Sequence, residues 1–221
     1  MTSFVPTPAW FYGVDSALEI VAVLISFLIS LYGFRIYRFF GQKKYLYFSI
    51  SFFLIGVSLI IGAVTNYLLY FVWLKHSPLY VKANNLMLLY KIGFLTHFFL
   101  HLAAYMILMI LCLKLADRRV ISLLFLFVIL SVFIAEENFI SFYVISFILM
   151  AFYILPFFYK NYVQNKNSHT RLVLLAFAAV ALSQLLFLLS VYSDLAYVLG
   201  HVSQVAGYIA LLVNFVSVFK K

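Results

Sequence analysis

Two short stretches carry the side chains able to do chemistry. In "HFFLHLAAY" (97–105), His97, His101 and Tyr105 recur at i, i+4 and i+8, so a helix presents all three on one face. In "HVSQVAGY" (201–208), His201, Gln204 and Tyr208 recur at i, i+3 and i+7 and share a face in the same way. A His-x-x-x-His pair can ligate a divalent metal ion, because both rings project from one side about a turn apart. His201 completes a candidate metal set of His97, His101 and His201, with Glu19 as an alternative third ligand or a candidate base. Histidines at matching depth on facing helices could instead hold haem iron axially, the small residues Ala103, Ala104, Ala206 and Gly207 leaving room for the ring. A quinone or small polar ligand suits the same mixture of imidazole, amide and phenol. The plainest alternative is that these groups hydrogen-bond across helices and hold a bundle together.

The elements that must position them follow from composition. The chain has 221 residues, of which 67% are hydrophobic, 20% aromatic and only 10% charged, and its mean hydropathy is +1.13. A soluble domain carries far more charge, so the expectation is an integral, multi-pass protein of the cell membrane. The formal charge of +9 comes from lysines and arginines placed between apolar runs. Their natural partner is the anionic headgroup layer of the bilayer, and no base-reading module supports nucleic-acid binding. Cys112 is the single cysteine, so an intrachain disulfide is excluded. No Lys or Arg precedes the first apolar run, which points to a retained signal-anchor rather than a cleaved leader.

A span of hydrocarbon about 30 Å thick needs roughly 20 apolar residues. Seven runs qualify, near 17–34, 45–72, 92–113, 120–135, 139–159, 172–192 and 196–218. The predicted fold is therefore all-α, a single seven-helix transmembrane domain. One set of ends carries Arg35, Arg38, Lys43 and Lys44, then Lys114, Arg118 and Arg119, then Lys160, Lys166 and Arg171, and Lys220 and Lys221. The other carries Lys75, Lys82 and Lys91 beside Asp15, Glu19, Glu136, Glu137 and Asp194. The positive-inside rule then puts the N-terminus outside and the C-terminus inside. Trp10, Trp73, Tyr80 and Tyr90 fit an outer aromatic belt. His76 and His169 fall outside the apolar runs and read as solvated loop residues, and 73–85 reads as an interfacial cap.

The chain also matches itself. "ISFLIS" (25–30) pairs with "ISFILM" (145–150), Ser58 and Tyr67 pair with Ser183 and Tyr192, and "AAYMILMILCLK" (103–114) pairs with "AGYIALLVNFVSVFK" (206–220). The order is that of a repeat A over 17–113, a linker helix over 120–135 and a repeat B over 139–218, parallel about an axis along the membrane normal. This 3+1+3 order resembles the build of SWEET-type sugar transporters and, more loosely, of seven-helix rhodopsins. The first resemblance implies transport, although the Pro-Gln pair of that family is absent. The second implies retinal, yet the last helix offers no Schiff-base lysine before Lys220. The His-x-x-x-His element is similar to the zinc site of the ceramidase and progestin-receptor-like membrane hydrolases, with the pair in the third span rather than the last.

The expected site is an outward-facing pocket built from Glu19, Asn66, His97, His101, Tyr105, Gln184, His201, Gln204 and Tyr208. Ionisable groups inside a bilayer are costly and mark function by default. The phosphate loops, Gly-x-Ser-x-Gly elbows and cysteine metal patterns of soluble enzymes are missing, so a non-enzyme is favoured. The leading expectation is a receptor-like or sensory protein that binds a small ligand or metal ion and passes a helix shift to a cytoplasmic-side protein partner. A small transporter and a metal-dependent hydrolase or haem protein are the alternatives, and the oligomeric state is left open.

Overall fold

A computed structural model describes residues 9–11, 13–75, 83–137 and 140–219. After a short 3-10 turn at Ala9–Phe11, seven helices follow: α1 (Val14–Phe40), α2 (Lys43–Lys75), α3 (Ala83–Leu113), α4 (Arg118–Glu137), α5 (Ile140–Asn165), α6 (Ser168–Leu189) and α7 (Asp194–Phe219). All of them except α4 are long and apolar enough, among the described residues, to cross a membrane. The protein is a helical multi-pass membrane protein. The side chains of Trp73, Lys75, Tyr90, Glu136 and Glu137, and residues His76, Tyr80, Lys82, Lys220 and Lys221, lie outside the described residues.

Most helices extend past at least one end of the apolar run that announced them, because helical backbone continues through polar ends until a residue stops it. Gly41 stops α1 with a left-handed φ of 66°, and its N–H donates to Tyr37 O at 2.8 Å. Lys166 stops α5 in the same conformation, φ 45°, donating to Tyr162 O at 2.7 Å. Asn167 then caps α6, its side-chain oxygen accepting from Thr170 N at 2.7 Å. Asp117 accepts from Arg119 N at 2.8 Å and starts α4 likewise. These tight turns bring the Lys- and Arg-rich helix ends close together. Within α5, residues Leu149–Ile154 form a π-helical turn just before Pro156. Proline has no N–H to give the preceding turn, and the wider turn absorbs that loss.

Packing closes six helices into a ring. Helix α1 packs on α2, α2 on α3, α3 on α5 through its π-helical turn, α5 on α6, α6 on α7, and α7 back on α1. Helix α4 stands outside the ring against α3 and α5. The middle is filled rather than hollow: Tyr105, Tyr208, Phe52, Leu102 and Met150 are all buried to 2% exposure or less. Small residues set the closest approaches. A Cβ on Gly207 of α7 would stand 2.8 Å from Ala176 O of α6, and one on Gly33 of α1 would stand 3.3 Å from Ser49 Cβ of α2. The outward faces carry Leu24, Leu31, Phe53, Leu123, Phe133, Phe152 and Val213, all exposed, which in a bilayer meet lipid tails.

Candidate functional site

The predicted stripe on α3 faces inward, and the partner of its histidines comes from α2. Ser58 Oγ donates to His97 O at 2.9 Å and lies 3.3 Å from His101 Nδ1. His97 Nδ1 lies 2.8 Å from Ser58 O. A carbonyl only accepts, so the His97 proton sits on Nδ1 and Nε2 is the ring's acceptor. Gly62 makes this approach possible, because a Cβ there would come within 3.1 Å of His97 Nδ1. His101 packs edge-on to Tyr105, with ring centroids 4.6 Å apart, and both histidines lie against Phe142 of α5.

One turn further along α3, a hydrogen-bonded chain crosses the ring. Gln184 Nε2 of α6 donates to Tyr105 Oη at 3.3 Å and to Ser183 Oγ at 3.3 Å. The Tyr105 and Tyr208 hydroxyls approach each other from α3 and α7, and Gln204 Nε2 reaches Tyr208 Oη at 3.4 Å. All four side chains are buried. Gln184 Oε1 has no partner among the described residues, and neither do the hydroxyls of Ser26 in α1 and Ser146 in α5. A buried acceptor left unmet costs about 1–3 kcal/mol, so each such group calls for an explanation.

His201 has different company. Its ring lies 4.7 Å from Tyr197 and 4.9 Å from Phe187, with Phe11 at 6.1 Å. It therefore sits in an aromatic box between α6, α7 and the N-terminal turn, while His97 and His101 belong to the α2–α3 seam. Phe142, Tyr143 and Phe187 form a continuous aromatic wall between the two places, with centroids 5.1 and 5.3 Å apart. Among the described residues no three His, Cys, Asp or Glu side chains stand together as a metal centre. Glu19 of α1 lies near the Asn66 side chain of α2, and its Oε2 is unpartnered among the described residues. Asp15, close by on α1, binds the N–H groups of Gly13 and Ser16 at 2.9 and 2.7 Å and so caps its own helix.

Ser58 is the neighbour of both histidines that their spacing did not reveal. Its signal was a serine in an apolar run matched to Ser183 in the self-alignment. His169 corrects an expectation: it lies within α6, half-buried, with Nδ1 3.2 Å from Asn214 Oδ1 and 3.4 Å from Ser217 Oγ of α7. The helix begins at Ser168, ahead of the apolar run, and carries the ring against α7. No family model, curated protein or solved structure matches the chain.

Proposed function

We propose that the protein is a receptor-like or sensory seven-helix membrane protein that binds a small polar ligand at the Gln184–Tyr105–Tyr208–Gln204 chain. One observation carries this: Gln184 Oε1 is a buried acceptor without a partner, held beside two tyrosines where the two halves of the ring meet. A ligand bearing a hydroxyl or amine would donate to it. His101 and Ser58 would line the approach from α2 and α3, and Glu19 with Asn66 would stand nearer the end of α1. The domain divides into repeat A over 17–113, a linker helix over 120–135 and repeat B over 139–218. All seven helices span the membrane, with the Lys- and Arg-rich ends inside and the N-terminus outside. The expected membrane is that of the cell.

Three observations support the parallel repeat. The first helix of each triplet packs on the third of the other, α1 on α7 and α5 on α3, as a twofold axis along the ring would require. The aligned pairs Ser26/Ser146, Ser58/Ser183 and Tyr105/Tyr208 are all buried to 1% exposure or less. The aligned Tyr67 and Tyr192 are both exposed. The same ring favours transport as the second function, because a site on the axis between two triplets is where rocking halves expose a substrate alternately.

The test separates a binding site from simple helix glue. Gln184→Leu removes the unmet acceptor. A binding role predicts that apo stability falls by no more than the lost Nε2 bonds, about 1 kcal/mol, while the thermal stabilisation given to the parent by a binder from a panel of polyols, sugars and primary amines disappears. Glue predicts a loss of stability and an unchanged response. Cysteine labelling at Lys44→Cys tests the orientation: an impermeant reagent reaching it from outside the cell sinks the inside assignment.

A further inference from the structure

A cavity of about 980 Å³ opens at the Lys- and Arg-rich end of the ring, between α2, α3, α5, α6 and α7. Lys44 at the start of α2, Lys114 just beyond α3 and Lys160 late in α5 stand on its rim, all exposed, with the amides of Asn161 and Gln164 beside them. Among the described residues no Asp or Glu lines it. Lys114 holds its place because the chain turns left-handed there, φ 54°, as it leaves α3. Inward the lining becomes apolar: Phe48, Phe158 and Phe215 form walls, and Cys112 is buried against them. Leu108 and Leu211, each 1% exposed, reach the innermost level, three residues from Tyr105 and Tyr208.

Charge and shape together choose the occupant. Three cations without a counter-carboxylate call for an anion. An inorganic ion would fill only a small part of the volume and leave the aromatic walls wetted, which apolar surface opposes. A free acyl chain would leave the lysines unmatched. We propose that this cavity binds an anionic phospholipid, with the phosphate among Lys44, Lys114 and Lys160 and acyl chain along Phe48, Phe158 and Phe215. The rim lies at the helix ends, level with a headgroup layer, so the lipid enters without its phosphate crossing hydrocarbon. A single turn separates its apolar end from Tyr105 and Tyr208, which places bound lipid in reach of the axial chain.

Native mass spectrometry of the full chain in detergent, offered dioleoyl phosphatidylglycerol and dioleoyl phosphatidylcholine, tests the assignment. The parent is expected to retain phosphatidylglycerol about a hundredfold in preference. Each lysine near the headgroups contributes about fivefold, so Lys44→Gln/Lys114→Gln/Lys160→Gln should bring the two lipids close to parity, and Lys160→Gln alone should lower the preference about fivefold. Arg35→Gln/Arg38→Gln/Arg171→Gln removes the same charge from the same end away from the cavity and should keep the preference. Equal loss in both triple variants, or loss in neither, overturns the site. Inorganic phosphate and glycerol 3-phosphate, added at the lipid's concentration, should leave the lipid in place. Displacement by either would mean a small-anion site and overturn the lipid.

Discussion

The two groups of helices α1–α3 and α5–α7 hold themselves together differently. In the first, hydrogen bonds knit neighbouring helices. Ser30 and Ser49 exchange bonds between α1 and α2, each hydroxyl reaching the other's carbonyl at 2.9 and 2.8 Å, and Ser58 ties α2 to both α3 histidines. In the second, close backbone approach is added to such bonds. Gly207 lets α7 rest on Ala176 and Val180 of α6, and Ser203 reaches Ala179 O at 2.8 Å. The counterpart of Ser58, Ser183, bonds its own helix at Val180 O, 2.7 Å away. The second triplet thereby keeps its longer polar groups, Gln184 and Gln204, for the axis. It also contains the π-helical turn, a feature that occurs as a local irregularity at functional sites. The lesson is a division of labour: a hydrogen-bonded half supplies a frame, and a half packed through small residues points amides at the shared centre.

The largest effect that could break this contrast is at Gly207. Gly207→Leu drives a side chain into Ala176 O, a backbone atom unable to step aside, and should cost about 3 kcal/mol or more, seen as loss of folded protein in detergent. Gly62→Ala, in the first triplet, meets only the His97 ring at 3.1 Å and should cost about 1 kcal/mol, because that ring can shift by a few tenths of an ångström. Equal costs at the two glycines would end the contrast between α7 resting on a fixed backbone atom of α6 and α3 meeting α2 through a ring that can shift. Tyr105→Phe comes next. It strips an acceptor from Gln184 Nε2 and the neighbouring hydroxyl from Tyr208, so unfolding measurements should register a loss of about 1 kcal/mol.

Much of this was legible in the sequence, and for identifiable reasons. Seven apolar runs announced seven helices, because only intrahelical bonding satisfies a backbone in hydrocarbon. The spacing of His101 and Tyr105, and of Gln204 and Tyr208, placed them on inward faces, and all four are buried. The ends were less legible. Hydropathy reports where lipid begins, whereas helices stop at capping residues such as Gly41 and Asn167, and that displacement is what carried His169 from a supposed loop into α6. The pairing of residues across helices was least legible. His97, His101 and His201 are alike in type and similar in depth, yet Ser58 claims the first two and an aromatic box surrounds the third. Periodicity gives the face of one helix; which neighbour it meets depends on how the ring closes.

The smallest expected effect is the sharpest comparison, because it uses aligned residues of one type. Ser58→Ala and Ser183→Ala remove the same hydroxyl from two fully buried positions. The first loses a bond between helices, to His97 O, and the neighbour of His101 Nδ1, and should cost about 1 kcal/mol. The second loses a bond within its own helix, where Val180 O keeps its place in the helical ladder. Its only other role is to accept from Gln184 Nε2, which retains Tyr105 Oη. Ser183→Ala should therefore change stability by no more than about 0.5 kcal/mol. Steric-trap or thermal unfolding of the two variants beside the parent resolves such a gap. If Ser183→Ala costs as much as Ser58→Ala, the second triplet is hydrogen-bonded like the first, and its amides lose their reason for being turned toward the axis.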